Sequence, residues 1–401
     1  LKKQLKENPM SESIILYGTP HSLYTAKARA YLRKHSIPFD ERMPGDSRYA
    51  SEIMPVIQRL MLPVIELNDG RVIQDSMAII NHFEQSGQGK FSVYPQNPIL
   101  LISALILDLF GSEGLLRPAM HYRWNYFEEN KTLLRAEFGD CVAPGASEEI
   151  TQAVADQAMA PMQNYLPPLG INKDTAPAIE AHYLELLALL QKHLWDHPYM
   201  LGGLPSVADY GLYGPLYAHL ARDISSSQLM KQQAPRLYRW TERMSAANAD
   251  IPEYGDYSQM YFEAGQIPQT LRDLLAFVAR DYLAEIQATV NATNAWLAAN
   301  PDIQTGANVC KKPHQQTLGK IQFEFRGIQC HGVNKPYRIT LMQRITDAYD
   351  ALDNESRTAC RDFFAPLGLE DLLTLKTQRR IERANHLEVW GAVNQPGEEP
   401  L

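Results

Sequence analysis

The chain has 401 residues, 45% of them apolar and 21% charged, enough to bury a large core in two or three domains. Its formal net charge is −8 and its pI is near 5.8, with basic residues scattered along the length. That balance argues against a nucleic-acid partner and against an anionic membrane surface. Cysteines at 141, 310, 330 and 360 form no CxxC pair, so free thiols in a reducing compartment are expected.

The opening Leu1-Lys2-Lys3-Gln4-Leu5-Lys6 has no apolar stretch of the secretory kind, and Met10 is a candidate natural start. Ile14-Ile15-Leu16-Tyr17 is a short apolar run rich in β-branched and aromatic residues, which reads as a buried strand. A turn follows, and Ala28, Tyr31 and Leu32 then recur at helical spacing, so a helix starts near Ser22. Its positive end points back at the strand tip, a place suited to an anion. A hydroxyl there can hydrogen-bond a thiolate, and the unpaired first-turn N–H groups lower the cost of holding its charge. A strand over 39–42 and a helical stretch over 49–60 come next. Strands 64–67 and 71–73 flank Asn68-Asp69-Gly70, a strong hairpin signal, and a helix runs from 76 to about 84.

The order is βαβαββα, that of a thioredoxin-like domain. With Ser22-Leu23-Tyr24 followed by Lys27 and Arg29 on the opening helix, residues 13–88 resemble the first domain of the cytosolic glutathione transferase superfamily. By that resemblance Ser22 attends the glutathione sulfur, with Tyr24 as the neighbouring alternative and His21 as a third candidate. Ser22 and Tyr24 stand about 200° apart around a helix, so one of them faces the sulfur and not both. Leu62-Pro63-Val64 matches the family's cis-proline, with Val64 expected to pair with the peptide backbone of glutathione. Asp75-Ser76, at the head of the third helix, matches the γ-glutamyl site: Ser76 for the α-carboxylate and Asp75 for the α-ammonium. The same two residues are also candidate helix caps.

Residues 86–97 are polar, with Gly and Pro, and read as a linker. The second domain, 98–250, is all-helical, with helices expected over 99–111, 119–134, 150–165, 176–194, 207–221 and 235–244. Ala178, Tyr183, Leu184, Leu187 and Leu190 form an expected core stripe. The longest apolar run, 99–110, is too short to cross a bilayer and is broken by Ser103 and Asp108. Ser206 and Asp209 stand in capping-box relation, as at the core helix of the resembled family. In that family the helix carrying His121-Tyr122-Arg123-Trp124-Asn125-Tyr126 lines the electrophile pocket, so Tyr122 and Trp124, with His21, are expected there.

The family pattern stops near 255. In the extension over 255–393, Leu271, Leu274, Leu275, Val278, Tyr282, Ile286 and Val290 predict a long amphipathic helix. Helices over 337–352 and 355–364 and one or two short strands, at 321–325 and 387–390, complete it. The tail 394–400 is disordered by composition. Cys310, His314, Cys330 and His331 lack metal-ligand spacing, and no metal is expected.

The fold class is thus α/β plus all-α: a thioredoxin-like domain, a helical bundle and a mainly helical extension. The resemblance implies a glutathione transferase with glutathione as co-substrate, a small-molecule electrophile between the domains, a homodimer, a role in detoxification and a cytoplasmic location. A non-catalytic scaffold of the same fold, or a glutathione-dependent reductase or isomerase, are the alternatives.

Overall fold

The computed structural model describes residues 13–394; the tail beyond 394 and the chain start lie outside them. The first unit is a four-stranded sheet of order β2-β1-β3-β4, with β1 (Ile14–Tyr17), β2 (Phe39–Arg42), β3 (Val64–Glu66) and β4 (Val72–Gln74). β1 runs parallel to β2 and antiparallel to β3. Helix α1 (Leu23–Lys34) starts where the N–H of Thr25 donates to Ser22 Oγ at 3.3 Å. The expected helix over 49–60 is a π-turn at 49–53 followed by α2 (Met54–Ile57). Gly70, at φ +80°, closes the turn between β3 and β4, and α3 (Ser76–Gln85) follows.

The second unit has eight α-helices among the described residues, where the sequence pattern predicts six. α4 (Pro98–Leu109) continues through a π-turn into α5 (Leu116–Trp124). That continuous stretch, 98–124, is long and apolar enough to span a membrane, but 89% of its most apolar window is buried inside the protein. The expected helix over 119–134 is two: α5 stops at Trp124 and α6 (Phe127–Val142) begins afresh. Buried Asn130 enforces the break, because its amide donates to the carbonyls of Tyr122 and Arg123 at the end of α5. After α7 (Glu148–Gln163), α8 (Ala176–Asp196) buries Ile179, Tyr183, Leu186, Leu187 and Leu190; Leu184, expected in the stripe, is exposed.

α9 (Val207–Pro215) is shorter than the expected 207–221, since Pro215 supplies no N–H and the chain continues as a π-turn over 216–220. Gly211 lets α9 lie against α4: a Cβ there would meet Asp108 Oδ1 at 2.4 Å. Gly214 does the same for the start of α1, where a Cβ would lie 2.7 Å from the Leu23 carbonyl oxygen. α10 (Ile224–Gln233) was not anticipated, and α11 (Pro235–Ser245) closes the domain.

One buried carboxylate holds the head of α9. Asp209 accepts from the N–H groups of Met200 and Ser206, from Ser206 Oγ and from Trp240 Nε1, at 2.9 to 3.3 Å. Asp209→Ala leaves all four donors buried and unpaired, and a loss of about 2–3 kcal/mol is expected in urea unfolding. Asp209→Asn, which keeps an acceptor oxygen, should cost less.

The extension opens with α12 (Gln269–Ala298), whose predicted apolar face is buried throughout. In place of one or two short strands there are two hairpins: β5 (Gly319–Phe325) with β6 (Ile328–Asn334), and β7 (Arg379–Ala384) with β8 (Leu387–Val393). Each turns on two residues of positive φ, Arg326-Gly327 and Asn385-His386. Between the hairpins lie α13 (Pro336–Asp350), α14 (Asn354–Phe364) and α15 (Glu370–Thr374). α12 packs on α8 and α13 on α4, so one contiguous core runs from Leu16 to Trp390. The extension is built into the body of the protein.

Candidate active site

The heads of α1 and α3 and the start of β3 meet at one end of the sheet. Ser22 caps α1 by accepting from Thr25, and among the described residues no group accepts its own proton. The Leu62–Pro63 peptide bond is cis. Asp75 sits at φ +96°, a backbone region costing about 1–3 kcal/mol for such a residue. Its Oδ1 accepts from the N–H groups of Met77 and Ala78 at 2.9 and 3.1 Å, and its own N–H donates to the Pro63 carbonyl at 3.2 Å. Ser76, beside it, is fully buried and its hydroxyl has no hydrogen-bond partner among the described residues.

A cavity of about 60 Å³ lies against this corner. One wall is Tyr24, Arg59, Leu62, Gln74 and Asp75; the other comes from the extension, as Cys310, Lys335, Tyr337, Arg383 and Glu388. Val64 does not reach it. It pairs with Tyr17 of β1 and Gln74 of β4, and Leu62 is the residue beside Pro63 that lines the cavity.

Tyr24 is committed elsewhere. Its hydroxyl donates to Glu113 Oε1 at 2.7 Å, and burial together with the Glu113 charge holds its pKa well above the ordinary 10. Glu113 also receives Lys335 Nζ at 2.7 Å. With its proton donated to a carboxylate, Tyr24 lines the cavity but has none to offer a sulfur, and Ser22 does not line the cavity. Cys310 faces the cavity as a thiol, pushed up to about 11 by burial.

The extension supplies the charges that the sequence did not reveal. Arg59 donates to both carboxylate oxygens of Glu388, at 3.0 and 3.2 Å, and to the His386 carbonyl at 2.8 Å. Burial works against the Glu388 charge, but these bonds hold its carboxyl below the usual range. Arg383 donates to the Gln74 side chain, and its Nη1 stands 3.7 Å from Asp75 Oδ2. Burial, with Asp75 and Asp108 adding to it, pushes the Tyr337 hydroxyl far up, so it stays protonated.

His21, Tyr122 and Trp124 do not line the cavity. His21 is buried against Phe138, its ring centroid 4.2 Å away, and burial with the nearby Arg123 keeps it neutral. Tyr122 packs on Tyr126 and Tyr183, and Trp124 on Phe127 and Phe138. The expected pocket helix is therefore core. From this helix Arg123 touches the turn before α1, where its Nη1 donates to the His21 carbonyl at 3.1 Å.

Residues 16–90 match the family model of the glutathione S-transferase N-terminal domain, and residues 154–248 that of the C-terminal domain. No curated protein matches the chain. Among solved structures, the beta-etherase LigF from Sphingobium sp. strain SYK-6 is 17% identical, with 60% of this chain and 98% of that one covered at a TM-score of 0.42. Glutathione transferase GSTFuA3 from Phanerochaete chrysosporium is 14% identical, covering 59% and 97% at a TM-score of 0.39. Glutaredoxin 2 from Salmonella typhimurium, in complex with glutathione, is 17% identical, covering 59% and 100% at a TM-score of 0.31. The chain thus carries the N-terminal and the C-terminal domain of the glutathione S-transferase family, followed by a long extension packed onto both.

Proposed function

We propose that this protein binds glutathione at the corner formed by Ser22, Leu62, Asp75 and Ser76 and transfers its thiolate to a small electrophile. The observation that carries this reading is the head of α3. A buried hydroxyl without a partner stands there beside a carboxylate whose second oxygen faces a cation, which suits an α-carboxylate and an α-ammonium on one ligand. A free thiol titrates near 8.5, and lowering that by about two units needs roughly 2.7 kcal/mol of thiolate stabilisation. The Ser22 hydroxyl and the first-turn amides of α1 are the available source.

Ser76→Ala tests the binding half. Its hydroxyl has no partner in the free protein, so folding stability should not fall, while glutathione affinity in calorimetry should drop about tenfold or more. Ser22→Ala should lower turnover about a hundredfold with affinity little changed. Loss of stability in Ser76→Ala with unaltered affinity would remove the basis for the binding site.

A second reading, a non-catalytic scaffold, is favoured by the small size of the cavity. Ligand sites for small molecules usually exceed about 300 Å³, and this one is walled by the extension. A calorimetric titration with millimolar glutathione separates the two readings.

A further inference from the structure

The charges on the β7–β8 hairpin repeat those of a zwitterionic ligand. Arg383 offers a cation to Asp75, and Glu388 a carboxylate to Arg59. Arg59 is buried and finds no other carboxylate among the described residues. The hairpin tip adds backbone acceptors: the Asn385 carbonyl takes the Gln58 amide at 3.5 Å, and the His386 carbonyl takes Arg59. These contacts fill the wall of the cavity and leave space for a few waters only, far less than a tripeptide needs.

The base of the hairpin is held separately. Gln343 of α13 bonds both the N–H and the carbonyl of Ile381 at 2.8 Å, and Trp390 stacks on Trp296 with centroids 5.2 Å apart. The tip, 382–388, meets the site through these polar contacts; Leu387 is its buried apolar residue, and the stacked Trp390 anchor lies outside the tip. A two-stranded ribbon has little stability of its own, so its tip can leave the site without unpacking the core.

Building on the glutathione reading above, we infer that the β7–β8 hairpin is an internal competitor for the glutathione site. Its Arg383 and Glu388 stand in for the ligand's ammonium and a carboxylate, and glutathione enters as the tip leaves. Free protein is then held closed. Ligand affinity is set by the difference between two sets of similar ion pairs, and anything that draws the tip away raises it.

The test uses the full chain and reduced glutathione. Arg383→Ala with Glu388→Ala, which removes both stand-in charges, should bind glutathione at least tenfold more tightly than the parent by calorimetry. In the parent, saturating glutathione should speed amide hydrogen exchange across 382–388, although a ligand that merely covers a loop slows it. Gln58→Cys with Asn385→Cys, joined by a short bis-maleimide that glutathione cannot reduce, should lose binding, whereas each variant with only one of the two substitutions, treated alike, keeps it. Full binding by the cross-linked protein, or slower exchange at the tip with no gain in the double alanine variant, overturns the competitor. No binding by either the parent or the double alanine variant overturns the glutathione reading itself.

Discussion

Asp108→Ala is expected to cost the folded protein about 3–5 kcal/mol, the range for removing one partner of a buried ion pair. The carboxylate is fully buried. It receives Lys27 Nζ from α1 and Ser112 Oγ at 3.2 Å, and its other oxygen receives Arg344 Nη1 from α13 at 2.6 Å. Lys27 is itself buried; burial already lowers its pKa, and Asp108 is the main influence opposing that fall. Without Asp108, Lys27 must lose its proton or remain charged without an anion. Urea unfolding should show a lower midpoint with an unchanged slope. Adding Lys27→Met should recover much of the loss, because an apolar pair replaces a broken ionic one. A loss below about 1 kcal/mol in the single variant would show that water reaches the pair.

Arg123→Leu is expected to be comparably severe. Its guanidinium donates to Asp223 through Nε and Nη2 at 2.9 Å, to the Ala218 and His21 carbonyls, and to His219 Nε2 at 3.0 Å. Burial, with Arg123 adding to it, keeps His219 neutral, so that ring nitrogen accepts. The substitution strands the fully buried Asp223 carboxylate, again a loss of about 3–5 kcal/mol. It also frees the His21 carbonyl that leads into α1. Glutathione affinity, measured where the variant is still folded, should therefore fall although Arg123 does not line the cavity. Arg123→Lys should rescue neither property, since one ammonium cannot serve acceptors spread around a planar fork. Unaltered affinity in a folded Arg123→Leu protein would show that the loop before α1 is held by other contacts.

The first domain was legible because its signals are local. The Asp-Gly turn, the Ser22 cap and the Asp75-Ser76 head of α3 each act within a few residues, and the structure builds each of them there. Local signals failed where a distant partner decides. β7 reads Arg-Arg-Ile-Glu-Arg-Ala, which no alternation marks as a strand; Arg380 is held by Asp347 and Arg383 by Gln74, 309 residues away in sequence. α10 was missed because its turns are polar and carry little apolar periodicity. Tyr24 could not be separated from Ser22 by position on the helix. What distinguishes them is Glu113, 89 residues further on, which accepts the tyrosine's hydrogen bond. The far wall of the site, Lys335 to Glu388, was invisible for the same reason: side-chain period carries no information about which distant charge will arrive.

Asp108 and Arg344 also set a schedule. They are separated by 236 residues, and Glu113 from Lys335 by 222. At about 5–20 residues per second on the ribosome, each of these two carboxylates waits roughly 10–50 s for its cation from the extension. In that interval the nascent helical domain must keep this face of α4 wet, with Lys27 and Tyr24 as its interim partners. The surface that will become the middle of the protein therefore carries a hydrated carboxylate amid the apolar side chains of α4 until the extension covers it.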